Sequence, residues 1–157
     1  MSDDGINPFT GTYWVPVKQT HPGAVGLAHR HYSANPKIPI RNKFMSGISG
    51  PGESLVLLTT KCDALFGWQY QATRDDGQEG VNCTIFRNES SILSSTLIEE
   101  ACQLAWERWP GQRLFTFVAD DKIRSVNPGY CFKSAGWKYC GRTKIHKLSI
   151  LEMGVKG

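Results

Sequence analysis

The sequence feature that most limits the possible folds is a nearly unbroken apolar run at residues 114–119. A strand that is apolar at almost every position is covered on both faces, as the central strands of α/β proteins are. The preceding stretch, 97–109, has apolar residues at helical spacing until Pro110-Gly111 ends the pattern. The sequence therefore predicts an α/β fold in which a long helix leads into a buried central strand.

Strand-like segments precede that helix. Three runs rich in β-branched, aromatic and other apolar residues are separated by short turns and predict a β-meander: 54–60, 64–71 and 81–87. Residues 13–17 contain Pro16, which cannot donate a ladder hydrogen bond, so they predict an edge strand. Thr96 and Glu99 fit a capping box at the start of the long helix.

Shorter elements complete the pattern. Residues 24–32 are compatible with a helix that His31-Tyr32 would close, and 130–135 predict a short helix ended by Gly136. Residues 137–151 predict a final hairpin with its turn at 141–144. The stretch 35–52, rich in proline and glycine, predicts a long loop, and loops of this length often carry function.

The size and composition of the chain suit one globular domain. Its 157 residues predict a single domain, 1–157, that begins with an edge segment at 1–20. The longest apolar run, 54–58, is far too short to span a bilayer, and the polar start lacks a signal peptide pattern. We therefore expect a cytoplasmic protein with no membrane partner. Five cysteines without C-x-x-C spacing predict reduced, mostly buried thiols and no cysteine nucleophile.

Positive charge is concentrated in two regions. The net charge is +4, and the loop at 35–52 carries three of the cations, Lys37, Arg41 and Lys43. Five more lie in the C-terminal third: Lys133, Lys138, Arg142, Lys144 and Lys147. The two regions could flank an anionic ligand such as nucleic acid or a phosphorylated cofactor. A solvated charged surface explains them equally well.

The segment Tyr130-Cys131-Phe132-Lys133-Ser134-Ala135-Gly136-Trp137 resembles the end of GNAT acyltransferases, where a short tyrosine-bearing helix precedes an Ala-Gly-aromatic turn. The order of predicted elements also resembles that superfamily. The resemblance implies an α/β (α+β) fold with a central mixed, mostly antiparallel sheet and helices on both faces. It also implies a transferase that uses acetyl-CoA or a related acyl donor.

Within that superfamily the chain is similar to the Mom-type proteins of phages, which modify adenine in DNA. The similarity rests on short matches in the same order along the chain: His31-Tyr32-Ser33, Arg87, Ser94-Ser95, Asp120 and Tyr130. It implies transfer of a carbamoylmethyl-type group to the N6 amine of adenine, in the host cytoplasm, as a means of evading restriction. DNA is then the expected partner, with its base extruded onto an aromatic ring: Tyr32, Phe44 or Trp68.

The resemblance implies roles for named residues. His31 would act as the general base, oriented by Asp120, and Tyr130 would protonate a departing thiolate, while Tyr32 stacks on the acceptor. The residues implied for the cofactor are Arg87, Ser94, Ser95, Thr96 and Asn127. Those implied for DNA phosphates are Lys37, Arg41, Lys43 and Arg124. Iron held by His31, Tyr32 and Asp120 is an alternative to the metal-free site.

One departure from the superfamily pattern bears on the donor. GNAT enzymes place a glycine-rich R/Q-x-x-G-x-G/A turn before the main helix, whereas 87–95 contains no glycine and adds Glu89. Two further functions therefore stay open: a conventional N-acetyltransferase of a small amine or protein, and a non-enzymatic module that binds nucleic acid. Structural roles for the same residues are open too, as is the oligomeric state, including a homodimer.

Overall fold

The computed structural model describes residues 12–30, 52–119, 129–144 and 146–154. In these residues the elements follow one another as β1 (Trp14–Val17), α1 (Pro22–His29), β2 (Glu53–Thr59), β3 (Ala64–Tyr70), β4 (Val81–Asn88), α2 (Ser94–Arg108), β5 (Leu114–Val118), α3 (Tyr130–Ser134), β6 (Lys138–Arg142) and β7 (Ser149–Met153). None of the described helices has the length and apolar character needed to cross a membrane.

The described strands form one sheet in the order β1-β2-β3-β4-β5-β7-β6. Among these neighbours, β4 and β5 run parallel and every other pair is antiparallel, which confirms the mixed, mostly antiparallel sheet. The strand β1 lies at one edge, where Pro16 is exposed and its missing N–H costs no ladder bond. The predicted edge strand and meander are therefore both confirmed.

Helices cover both faces of the sheet, as the sequence predicts. On one face α1 packs through Leu27 and its neighbours against β2, β3 and β4. On the other face α2 and α3 enclose the larger core. Two buried indoles fix α2 there: Trp14 Nε1 donates to the Leu97 carbonyl at 2.7 Å, and Trp68 Nε1 donates to the Ala101 carbonyl at 3.0 Å. Because Trp68 is fully buried, its predicted role as receptor for an extruded base is wrong.

The helix ends differ from the sequence prediction. The helix α1 begins at Pro22, where proline pre-sets the backbone, and ends at His29 with Arg30 as its C-cap. The carbonyl of the C-cap residue, Arg30, accepts a hydrogen bond from Arg87 Nη1 at 2.9 Å. His31-Tyr32 therefore does not close α1.

The long helix α2 starts at Ser94, with Leu93 as N-cap and no side-chain capping bond, so the capping box at Thr96 is wrong. The side chain of Asn88, outside the helix, donates to Ser94 Oγ at 2.9 Å and fixes the start two residues early.

The closing hairpin is confirmed, but its turn begins after Arg142, because 138–142 continue as β6 past a bulge at Cys140. The thiols also differ from expectation. Cys83 and Cys102 are buried, Cys131 is half-buried, and two are exposed, Cys62 and Cys140. Burial raises the pKa of the Cys83 and Cys131 thiols, which keeps them protonated and unreactive.

Candidate functional site

The sheet opens between its two parallel strands. The ladder joins β4 to β5 over three pairs, Val81↔Leu114, Asn82↔Phe115 and Cys83↔Thr116. Beyond it, β4 continues to Asn88 against β3, while β5 continues to Val118 against β7. The two parallel strands therefore diverge after these three pairs. Beyond that point their facing backbone edges do not hydrogen-bond to each other. The Thr116 hydroxyl donates to the Cys83 carbonyl at 2.9 Å and closes the ladder at the fork.

A bulge in β4 sets which side chains face which side of the fork. Gly67 pairs with Ile85 and Trp68 pairs with Cys83, so the register skips Thr84, whose hydroxyl donates to the Gly67 carbonyl at 3.3 Å. Side chains two apart on a regular strand share a face, yet Cys83 lies in the core with α2 and Ile85 in the core with α1. The bulge therefore turns Arg87, two residues after Ile85, toward the end of α1.

A polar loop, 89–93, joins β4 to α2 and is organised by the Asn88 side chain. Asn88 Nδ2 donates to the Ile92 carbonyl at 2.8 Å, and Asn88 Oδ1 accepts from the Ser90 amide at 2.9 Å and from the Ser90 hydroxyl. Ser90 Oγ in turn accepts from the Ile92 amide at 3.1 Å. Side-chain hydrogen bonds thus hold this loop, which contains no glycine.

The start of α2 presents amides to the mouth of the fork. Within the described part of the chain, the Thr96 and Leu97 amides bond to the Leu93 carbonyl, whereas the Ser94 and Ser95 amides have no partner. The N-terminus of this 15-residue helix also carries a partial positive charge from the helix dipole. An uncapped helix start of this kind suits an anion such as a phosphate.

Three charged side chains meet beside the loop. Glu89 accepts from Arg30 Nε at 2.9 Å and Arg30 Nη2 at 3.0 Å, and also from Arg87 Nε at 2.6 Å. The hydrogen bonds from Arg30 and Arg87 lower the pKa of the Glu89 carboxyl to about 2, and the same contact raises the pKa of Arg30. This ionic trio carries a net charge of +1. The two arginines therefore offset the negative charge that Glu89 was expected to add to an anion site.

The short helix α3 lies on the β5 side of the fork. Its N-cap, Gly129, has φ 77°, and a Cβ there would lie 2.6 Å from Leu151 Cδ1, so only glycine fits beside the end of β5. Phe132 packs its ring edge-on against Phe86 of β4, with centroids 5.9 Å apart. This contact bridges the two arms of the fork, and Tyr130, 63% exposed, stands at the start of the helix.

The structure places some of the predicted site residues and not others. Arg87 lies at the end of β4, and Ser94, Ser95 and Thr96 form the first turn of α2, joined to β4 through Asn88. Tyr130 begins α3, next to Gly129, whose position lies beside Val118 at the end of β5. The remaining predicted residues lie outside the described residues: His31, Tyr32, Lys37, Arg41, Lys43, Phe44, Asp120, Arg124 and Asn127. Roles for all of these residues stay predictions.

The proposed iron ligands, His31, Tyr32 and Asp120, belong to that undescribed group, so an iron site also stays a prediction. Among the described residues, no three His, Cys, Asp or Glu side chains are grouped in a way that could hold a metal ion.

Sequence reasoning missed Asn88 and Arg30 as parts of this site. The Asn88-x-Ser90 spacing is a usable signal, because asparagine side chains commonly bond to the backbone two residues ahead. Arg30 has no such signal, since its bond to Glu89 spans 59 positions along the chain.

Comparison with solved structures gives two matches of similar fold. An acyl-CoA N-acyltransferase from Pseudomonas aeruginosa aligns with a TM-score of 0.53 and 13% identity, over 90% of this chain and 98% of that one. A protein assigned to the GNAT family of acetyltransferases, from Bordetella pertussis, aligns with a TM-score of 0.52 and 9% identity, over 88% of this chain and 93% of that one. The chain therefore has the GNAT fold.

The sequence itself is isolated from known families. No protein-family profile matches it. No curated protein matches it with significance either.

Proposed function

We propose that this chain transfers an acyl group from a coenzyme A-type thioester to an amine. The observation that carries the proposal is the fork, where a three-pair parallel ladder ends beside the uncapped start of α2. A GNAT fold and two structural matches with acyltransferase names support the same reaction class. The conventional N-acyltransferase is thus the function that this geometry supports best.

The residues present fit the phosphate end of such a donor. The unpartnered Ser94 and Ser95 amides would receive the pyrophosphate at the helix start, and the ionic trio beside them is net positive. Arg87 would contribute a charge-assisted hydrogen bond once phosphate competes with Glu89. No glycine lies in the loop to admit a phosphate more deeply, so we expect binding at the helix start, not within the loop.

The fork fits the middle of the donor. Residues 84–88 of β4 and the end of β5 face each other without a ladder, so a ligand with amide groups could occupy the missing strand position. A donor paired in this way would lie along β4, with its thioester inside the fork. The reacting carbon would then lie between the arm that ends in Arg87 and the arm that leads to Tyr130.

Acyl transfer needs a proton for the departing sulfur. The donor supplies an activated acyl carbon, which the acceptor nitrogen attacks as the carbon–sulfur bond breaks. Tyr130, exposed at the start of α3, holds a phenolic proton that it would give to the thiolate. The proton lost by the amine would go to a base, for which His31 is the candidate from the sequence.

The proposal is tested by donor binding and by thiol release. Acetyl-CoA binding is measured by calorimetry for the wild type, for Arg87→Ala and for Arg108→Ala, which removes a guanidinium at the far end of α2. We expect Arg87→Ala to weaken binding by about tenfold, the size of a charge-assisted bond, and Arg108→Ala to bind like the wild type. Thiol release with a panel of small amines then reports transfer. Absence of acetyl-CoA binding by the wild type would refute the conventional reaction.

Modification of adenine in DNA is a second candidate function. The observation that favours it is the loop, which Asn88 and Ser90 organise in place of the usual glycines, because a different loop suits a different donor. Its test is nucleoside mass spectrometry of plasmid DNA from cells that express the chain. A modified adenosine that disappears with His31→Ala would support this function, and unmodified DNA would exclude it. A purely binding module would show neither transfer nor any effect of Tyr130→Phe.

A further inference from the structure

The β6–β7 hairpin carries an unusually one-sided charge. From Gly129 to Leu151 the chain has no carboxylate and five Lys or Arg residues: Lys133, Lys138, Arg142, Lys144 and Lys147. By contrast, 52–119 has nine Asp or Glu residues and five Lys or Arg residues. The net charge of +4 is therefore the sum of an acidic middle and basic flanks. The concentrated positive charge of 129–151 attracts polyanions.

Hydrogen bonds fix both ends of the hairpin turn, next to Arg142, Lys144 and Lys147. Arg142 Nη1 donates to the Lys147 carbonyl at 2.8 Å, and the Thr143 amide donates to the Leu148 carbonyl at 2.9 Å. The Leu148 amide donates back to Thr143 Oγ1 at 2.9 Å, and Lys147 has a positive φ of 56°. Because these bonds hold the backbone at both ends of the turn, the backbone loses little further freedom when the side chains bind a ligand.

The cations of the hairpin are accessible. We call the exposed side chains Lys138, Tyr139, Arg142, Lys144, His146 and Lys147 the basic hairpin. Three of these residues, Lys138, Tyr139 and Arg142, lie on β6, which is the last strand in the sheet, so its outer edge meets no other described strand. The nearest carboxylate in register, Glu152 opposite Lys138, is bound by Arg113 Nε at 2.6 Å. Lys138 therefore keeps its charge available.

The tip of the hairpin lies at the same end of the sheet as the fork. Val118, at the end of β5, pairs with Ser149, which pairs with Arg142. Tyr139, 54% exposed, shares the face of the sheet that α2 and α3 cover, because its partner Leu151 belongs to that core. Arg142 shares this face, because its partner Ser149 lies two residues from Leu151 on β7. An exposed aromatic ring near cations is the arrangement by which proteins stack a base while binding phosphates.

We propose that the basic hairpin is a docking surface for single-stranded nucleic acid. The lysines bind phosphates of the backbone, and the Tyr139 ring stacks on an unpaired base. This surface goes beyond the proposed acyl transfer and does not depend on it, since none of its side chains belongs to the fork.

The test measures binding of a fluorescein-labelled single-stranded DNA oligonucleotide by anisotropy across a salt series, with no acyl donor present. The variant Lys144→Gln/Lys147→Gln removes two charges from the hairpin turn, and Lys18→Gln/Lys61→Gln removes two from exposed positions elsewhere. We expect the hairpin variant to lower the slope of log affinity against log salt by about 1.4, or about 0.7 per lost phosphate contact. The control variant should keep the wild-type slope.

A second variant separates stacking from charge. Tyr139→Ala should weaken binding by about tenfold while leaving the salt slope unchanged, because a stacked ring contributes no counterion release. Equal losses in the hairpin and control variants would overturn the proposal. So would displacement of the oligonucleotide by polyglutamate as readily as by unlabelled oligonucleotide, because the surface would then bind any polyanion. Acyl transfer without oligonucleotide binding would retain the proposed function and reject this surface.

Discussion

The two halves of the β4–β5 pair differ although they belong to the same strands. In the amino half, the fully buried Val81 and Leu114 are paired, and the Val81 amide donates to the Arg113 carbonyl at 2.7 Å. In the carboxyl half, the strands part, and β4 ends in two polar residues, Arg87 and Asn88. Stability is thus concentrated before the fork and ligand chemistry after it. The same substitution should have different consequences in the two halves.

The largest expected effect lies in the paired half. Leu114→Ala should lower the free energy of unfolding by about 2–5 kcal/mol, because it leaves a cavity in a fully buried position. The matched change Leu93→Ala, at a leucine that is 70% exposed at the mouth of the fork, should alter stability by less than about 0.5 kcal/mol. Denaturant unfolding measures both. Similar losses for the two variants would contradict the division between the halves.

The next effect lies in the open half and concerns rate. Tyr130→Phe should lower kcat by about 100-fold through loss of the proton donor and leave the unfolding midpoint unchanged. Tyr70→Phe, at the opposite end of the sheet, is the matched control and should retain full activity. Steady-state kinetics with the donor and the best amine measure the change. A Tyr130→Phe enzyme with wild-type kcat would remove this tyrosine from the mechanism.

An intermediate effect belongs to the fork itself. Thr116→Val should lower the free energy of unfolding by about 1–3 kcal/mol, because it removes the hydroxyl that now donates to the buried Cys83 carbonyl. Thr116→Ser restores the donor and should recover most of that loss. Thermal unfolding of the two variants makes the comparison. If valine and serine behave alike, the hydroxyl does not stabilise the fork.

The smallest effect is a dependence of stability on pH. The pKa of Glu89 is lowered from its ordinary value of 4.5 to about 2 in the folded chain, so its stabilising contribution is complete above 4.5. It is lost as the pH falls from 4.5 toward 2. The melting temperature of the wild type should therefore fall more than that of Glu89→Gln across this window, by a small margin because the trio is exposed. If the melting temperatures of the two proteins change in parallel with pH, the ionic trio contributes nothing to stability.

The parts of the fold that the sequence predicts are those set by local pattern. The helix before β5, the meander and the edge strand at Pro16 follow from periodicity and from the missing amide of proline. The β-bulge at Thr84 does not, because a single extra residue leaves no mark on an apolar run. The position of β7 between β5 and β6 depends on pairings between distant segments, which local pattern does not encode.

In the candidate site, too, local pattern predicts some residues, and contacts between distant segments decide the others. Tyr130 stands out in the sequence because a short motif surrounds it, and Arg87 because it ends a strand. The expectation that Glu89 adds net negative charge to the site is wrong. Its two arginine partners come from the end of β4 and from the end of α1, and local sequence does not show that they meet it. The capping box at Thr96 failed for a related reason: Asn88, eight positions earlier, fixes the helix start through Ser94. Long-range bonds decided both cases.

The bulge at Thr84 has a consequence for comparing this chain with its relatives. Before it, odd-numbered positions of β4 point toward α2, and after it they point toward α1. A relative that lacks the extra residue will align correctly only with a one-residue gap at position 84. Ungapped alignments would match Arg87 with residues from the opposite side of the sheet. Distant homologues of this chain are therefore best sought with that gap allowed.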